Sequence, residues 1–260
     1  MKFILFILMI CSVTLLANTQ SSKEVCDNEH KEILRLYYSN LEIDAKKRLE
    51  RCTFNDPLIA DIMNVLNARI LYENKQYQNS LSVLNSAQKG IEEAYFDLKN
   101  YKAKDERTKK IIYTYSTMIE YMAHSYFMLG DYGKSLKYYT VQMELMPPAK
   151  ATTYEYAGFS AYYLNKHNKA LEYFEKAYKL YDKVSKKHKC AYNISAIYSK
   201  MDQSQKSVLW FKTALGHYLE YCEQSYINKI YLDNDFQNMK SSQEFQVFME
   251  RGEGSPDPAK

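Results

Sequence analysis

Glycine and proline are scarce in this chain, 7 and 5 among 260 residues. So few breakers exclude a collagenous or loop-dominated protein and favour long periodic helices over sheet. A dominant charge is lacking too, since 35 basic and 31 acidic residues leave a net charge of only +4. That excess, which falls by one if a segment holding Lys2 is removed, does not predict a nucleic-acid surface. Its basic groups (Lys102, Lys104, Arg107, Lys109 and Lys110; Lys183, Lys186, Lys187 and Lys189) read as solvated helix faces or linkers.

Catalytic signatures are missing as well. His30, His124, His167, His188 and His217 are scattered, with no HExxH and no serine in a nucleophile elbow. Gly252-Glu253-Gly254 has no strand before it, as a phosphate loop requires. Adjacent Glu92 and Glu93 point in different directions on a helix, a poor geometry for shared acid and base work. No CxxC pair suggests redox or zinc chemistry. The sequence therefore predicts no enzyme, no catalytic residue, no metal and no cofactor.

The first 22 residues read as a separate piece. Lys2 gives a positive start, Phe3 to Leu16 is apolar, and Ala17, Asn18 and Thr19 are small or short, which is the pattern of a secretory signal peptide. The apolar run is shorter than the roughly 20 residues a membrane span needs. An uncleaved anchor, or a lipoprotein using Cys11, is a minor alternative, because Met9 and Ile10 stand where a small residue should precede a lipidated cysteine. The expected location is periplasmic or secreted, with membrane contact only through the signal segment if it is retained.

Four cysteines remain beyond it: Cys26, Cys52, Cys190 and Cys222. An even number in an exported chain permits disulfides in three pairings. The most local pairing, Cys26 with Cys52 and Cys190 with Cys222, is the expected one, with buried thiols as the alternative.

Tyrosine is abundant, at 26 residues, and three of them stand in the first unit of a repeat. Ala123, Tyr126, Gly130, Tyr132, Ser135, Leu136 and Tyr139 are followed 35 positions later by Gly158, Ala161, Asn165, His167, Ala170, Leu171 and Phe174. A period of that length predicts a helical solenoid, because one pair of helices cannot bury its own apolar face and a neighbouring pair must cover it. Gly130, and Asn165 at the matching place, suit the left-handed residue that ends a helix, and Pro147-Pro148 stops the helix before it.

Weaker units flank these two. Asp56-Pro57 opens a helix to about Asn74, Lys75 to Tyr77 form a turn, and Ser80, Leu81, Leu84 and Ala87 begin a second helix that runs on past Leu98. About twenty extra residues, from Glu93 to Thr114, form either two elongated helices, the preferred reading, or an insertion near Asn100 to Glu106. A further unit has Ser195 and Tyr198, a turn at Asp202, then Ser207, Val208, Phe211 and Ala214. Trp210 beside it is expected to pack on a neighbouring helix, and the chain continues as a helix from Tyr221 to Tyr231. Residues 23–59 read as N-terminal capping helices and 60–250 as the solenoid. Within 232–250, Asp233, Asp235, Phe236, Met239, Ser242, Phe245, Phe248 and Met249 resemble the closing segment that often ends exported repeat proteins, which implies aromatic residues folded back onto the last helices, and 251–260 reads as a disordered tail.

The small, aromatic, small, aromatic and closing-proline pattern of Ala123, Tyr126, Ser135, Tyr139 and Pro147, repeated through Gly158, Ala170, Phe174 and Ala177, resembles the tetratricopeptide repeat family. The resemblance covers roughly Asp61 to Glu250 and implies an all-α, right-handed α-solenoid of stacked antiparallel helix hairpins. It implies too a concave face lined by Arg69, Tyr72, Glu120, His124, Phe127, Glu155, Phe159, Tyr162, Tyr163 and Tyr192. About half of these rings are equally expected to complete packing between hairpins. Glu120, His124, Glu155 and Phe159 replace the Lys and Asn of the family's carboxylate-clamping members, so a basic or apolar segment is the expected ligand. The expected function is an exported adaptor or scaffold that binds a peptide of another protein. A carbohydrate- or small-ligand-binding module using the same rings is the alternative, and a homodimer is possible.

Overall fold

In the computed structural model, residues 24–26, 29–38, 42–99, 106–145, 149–218 and 232–250 are described. The expected signal segment, Pro147 and Pro148, the helix expected from Tyr221, Cys222 and the C-terminal tail all lie outside them. The described chain is helical apart from two short segments, Glu24–Val25 (β1) and Cys52–Thr53 (β2), paired in parallel. Its helices are α1 (His30–Tyr38), α2 (Glu42–Arg51), α3 (Pro57–Glu73), α4 (Tyr77–Lys99), α5 (Glu106–Met128) and α6 (Tyr132–Leu145). They continue with α7 (Ala151–Tyr163), α8 (His167–Leu180), α9 (Val184–Lys200), α10 (Ser204–Tyr218), a 3-10 turn at Asn234–Phe236, α11 (Gln237–Lys240) and α12 (Gln243–Glu250). Sequential neighbours pack in a consecutive array, α3 on α4, α6 on α7, α7 on α8, α8 on α9 and α9 on α10. The chain forms two compact units, Met1–Met118 and Ile119–Lys260.

In the first unit Asp56 caps α3, its Oδ1 accepting from the amides of Leu58 at 2.9 Å and Ile59 at 3.2 Å, with Pro57 at a position that has no amide to satisfy. Both helices beside the extra residues are long, 23 residues each, as preferred from their spacing. Residues 100–105 between them lie outside the described chain. Tyr95 of α4 stacks on Tyr115 of α5 at 4.3 Å.

The expected Cys26–Cys52 disulfide is present and ties β1 to β2. The second expected bridge is not formed: Cys190 is a free thiol in the buried face of α9, and Cys222 lies outside the described residues. Burial, with Glu155 adding to it, pushes the Cys190 thiol up to about 12. Native Cys190 is therefore expected to resist iodoacetamide at pH 8 and to react on unfolding, which mass spectrometry reads directly. Because the folded-state pKa is raised, this group favours the native state below about pH 9 and loses that contribution as pH rises toward 12.

Four helix ends share one geometry. Lys75, Gly130, Asn165 and Asp202 have φ of 62°, 80°, 56° and 57°. In each turn that residue's amide donates to the carbonyl three residues back, and the next amide to the carbonyl five residues before it (Gly130 to Phe127 and Asp131 to Tyr126, for example). These paired bonds satisfy carbonyls that a helix end leaves orphaned. Gly130 and Asn165 were legible as such; Lys75 was not, because a β-carbon in this region costs about 1 kcal/mol. Lys75→Gly is therefore expected to raise stability by roughly 0.5–1 kcal/mol, seen as a higher urea midpoint with unchanged slope.

Twelve residues apart, small residues recur on successive helices: Ala68 and Ser80, Ala123 and Ser135, Gly158 and Ala170, Ser195 and Ser207. The three named serines at the second positions and Ser195 are fully buried, and they stay satisfied by pairing. Ser80 Oγ donates to the Ala68 carbonyl at 2.7 Å, and Ser195 and Ser207 exchange bonds with each other's carbonyls at 2.6 and 2.8 Å. Four positions further on, Leu84, Tyr139, Phe174 and Phe211 fill the space, each at most 1% exposed. Small residues let backbones approach, and the large residue one turn later fills the remaining gap.

The closing segment returns to α9 and α10. Phe236, Met239, Phe245 and Phe248 pack with Ala196, Val208, Phe211 and Leu215 in one buried cluster. Ser199 Oγ accepts from the Met239 amide at 3.1 Å, so the segment is fixed by polar as well as apolar contacts. Trp210 packs edge-on against Tyr178 at 5.4 Å, as expected.

Candidate binding face

Glu120, His124 and Phe127 are four and three residues apart on α5 and so share one helical face. That face meets α6 and α7. His124 Nδ1 pairs with the hydroxyl of fully buried Tyr139 at 2.5 Å, and the His124 ring stands edge-on to Tyr156 at 4.8 Å. Glu120 lies 3.8 Å from His124 Nε2 and 3.3 Å from Lys150 Nζ. Burial alone would raise the Glu120 carboxyl, but His124 and Lys150 together hold it below its ordinary value, so it is a carboxylate at neutral pH.

Aromatic rings continue from there. Phe127 contacts Tyr132 at 5.5 Å, Tyr156 at 5.3 Å, Phe159 at 6.3 Å and Tyr163 at 6.2 Å. Tyr163 stacks on Tyr132 at 4.3 Å while remaining 51% exposed. Phe159 turns its edge to Phe174 at 5.0 Å. These contacts fix each ring by packing, so a ligand meeting them orders little that is not already ordered.

Beyond Phe159 the face closes into a cavity of about 140 Å³ between α7, α9 and the closing segment. Tyr162 donates its hydroxyl to Asp235 Oδ2, and Tyr192 donates to Asp233 Oδ2 at 2.5 Å. Burial, followed by the hydrogen bond to Asp235, pushes the Tyr162 hydroxyl well above the ordinary phenol range, so it stays a donor. Lys200 pairs with Asp235 Oδ1 at 2.8 Å.

The residues picked from sequence divide three ways. Glu120, His124, Phe127, Phe159, Tyr162, Tyr163 and Tyr192 are brought together along this face of the second unit. Glu155 is instead buried, its carboxylate accepting the Tyr181 hydroxyl, so it is committed inside the fold. Arg69 and Tyr72 belong to the first unit, where Arg69 pairs with Glu73 at 3.0 Å and Tyr72 packs on Tyr77 at 5.2 Å. Tyr132, Lys150, Tyr156, Asp233 and Asp235 were missed as site residues. Tyr156 lies one residue from Glu155, and the helical spacing of its partners Phe159 and Tyr163 was its only signal. Asp235 is 73 residues from Tyr162 of α7 and Asp233 is 41 from Tyr192 of α9, and nothing local links them.

Two sulfurs and the Glu29 carboxylate also converge near β2, but both sulfurs belong to the Cys26–Cys52 disulfide and are not thiolate ligands. Among the described residues, no helix is long and apolar enough to cross a membrane.

No family model matches the chain, and no curated protein does. Among solved structures it is similar to the crystal structure of BtubC (BKLC) from P. vanneervenii, with 14% identity and a TM-score of 0.50 over 89% of this chain and 91% of that chain. At that identity the similarity speaks to the helical fold alone.

Proposed function

We propose that this chain is an exported tetratricopeptide-type right-handed solenoid of antiparallel hairpins that binds an extended peptide of another protein on the concave side of its second unit. The observation that carries the reading is the row from His124 through Phe127, Tyr132 and Tyr163 to Phe159. There, partly exposed rings are held by buried ones and flanked by the Glu120–Lys150 pair. Rigid rings with polar groups at their margin are the usual composition of a peptide-binding surface. The Cys26–Cys52 bridge supports export, since such bonds persist in oxidising compartments.

A photo-crosslinking residue at Tyr163, used in the native organism and followed by mass spectrometry, tests this. A single protein partner is expected, crosslinked through one short segment and lost on Phe127→Ala with the protein still folded. Binding to a glycan array with no protein adduct would transfer the face to carbohydrate recognition and end the adaptor reading.

A further inference from the structure

The cavity at the end of the aromatic row is too small for a cofactor. Its 140 Å³ falls below the roughly 300–1,000 Å³ of small-molecule sites, and admits about one side chain. Its walls are unusual in combining rings with carboxylates: Phe159, Tyr162, Tyr163 and Tyr192 line it together with Asp233 and Asp235.

The two carboxylates are oriented before any ligand arrives. Asp235 uses Oδ2 for the Tyr162 hydroxyl and Oδ1 for Lys200. Asp233 uses Oδ2 for Tyr192 and Oδ1 for the Asp235 amide at 2.9 Å. Each carboxylate has about four lone-pair sites, so roughly half of that acceptor capacity is left. The compensating cations stand outside the lining: Lys200 on Asp235, and Lys240 on the backbone carbonyl of Asp233 at 3.2 Å. The lining is therefore acidic and aromatic, completed by Asn193, Ala196 and Ile197 of α9, with half-exposed Tyr163 joining it to the row already described.

We propose that this cavity is a subsite for the guanidinium of an arginine in a basic peptide lying along the aromatic face. The proposal rests on the peptide-binding reading and specifies the charge of its ligand. An anion is disfavoured by two carboxylates, and a neutral aliphatic chain would cover their open lone pairs without satisfying them. Guanidinium fits better than ammonium because it is planar, stacks on rings, is weakly hydrated and divides its donors between separate acceptors.

The test is a ¹⁵N NMR titration of the full chain with an acetylated, amidated Gly-Ser-Arg-Ser-Gly peptide, repeated with citrulline in place of arginine. Citrulline keeps the shape and removes the charge, so the comparison needs no altered protein. Expected are saturable shifts at Tyr192, Asn193 and Asp233, weakened about tenfold or more by citrulline. Asp233→Asn, with its spectrum otherwise native, should cause a comparable loss for the arginine peptide alone. Equal binding of both peptides, shifts confined to other surfaces, or no shifts at all would each overturn the arginine subsite. The photo-crosslinking result at Tyr163 is separate: a protein captured there while both peptides bind equally leaves the peptide-binding reading standing and removes this refinement.

Discussion

Phe174→Ala is expected to lower stability by about 3–5 kcal/mol, the range for emptying a fully buried aromatic site. Phe174 is 1% exposed and touches both the core and the candidate face. Its ring lies against Gly158, where an added β-carbon would meet three ring atoms at 3.0–3.1 Å, and against Phe159 at 5.0 Å. A cavity there cannot collapse easily, because α7 and α8 already pack on each other and Ala161 and Ala170 are fully buried in the same cluster as Phe174. Phe159 would lose the surface that orients it, so peptide binding should weaken together with stability. Urea unfolding gives the first quantity, and the crosslink yield at Tyr163 the second. Gly158→Ala should cost about 1–3 kcal/mol through crowding of the same ring. The double variant Gly158→Ala, Phe174→Leu should cost less than the sum of its parts, because the smaller side chain relieves the crowding. Strict additivity would mean that the two residues do not share one packing site.

Loss of the Cys26–Cys52 disulfide is expected to cost about 3–4 kcal/mol, from the loop-closure entropy of a bridge between residues 26 apart. The bridge closes the segment that carries α1 and α2, whose buried side chains include Ile33, Leu36, Ala45 and Leu49. Cys52→Ala, or reduction of the natural chain, should therefore raise hydrogen exchange across α1 and α2. The α7–α10 amides should keep their protection, since their core is built from residues of the second unit. Uniform loss of protection throughout the chain would show instead that both units unfold as one. If the protein isolated from its native source carried reduced Cys26 and Cys52, the proposal of export would lose its main chemical support.

Helix positions and turns could be read from residue order because their causes are local. The Asp56-Pro57 start and the left-handed Gly130 and Asn165 depend on neighbours within a turn. The 35-residue offset made two of these units recognisable together. Lys75 escaped notice as a left-handed residue because its side chain does not favour that conformation; surrounding helices impose it. Cys190 was paired with Cys222 on sequence proximity, yet it belongs to a buried helical face, where its thiol serves as packing.

The candidate face divides along the same line. Which residues of α5 and α7 share a side follows from helical periodicity, but His124, Phe127, Phe159 and Tyr163 were expected on a binding face only through the resemblance to tetratricopeptide repeats. Whether a ring on that side is exposed or consumed is decided by what lands on it, and this involves segments far apart in the chain. Glu155 is consumed by Tyr181, 26 residues on, and Tyr162 is bound to Asp235, 73 residues on. Residue order by itself determined most of the helices and their turns, since those follow from backbone geometry and spacing. Only tertiary structure decided which of the aromatic side chains stay open and that two aspartates close the row into a cavity, because burial and charge depend on neighbours brought together by packing.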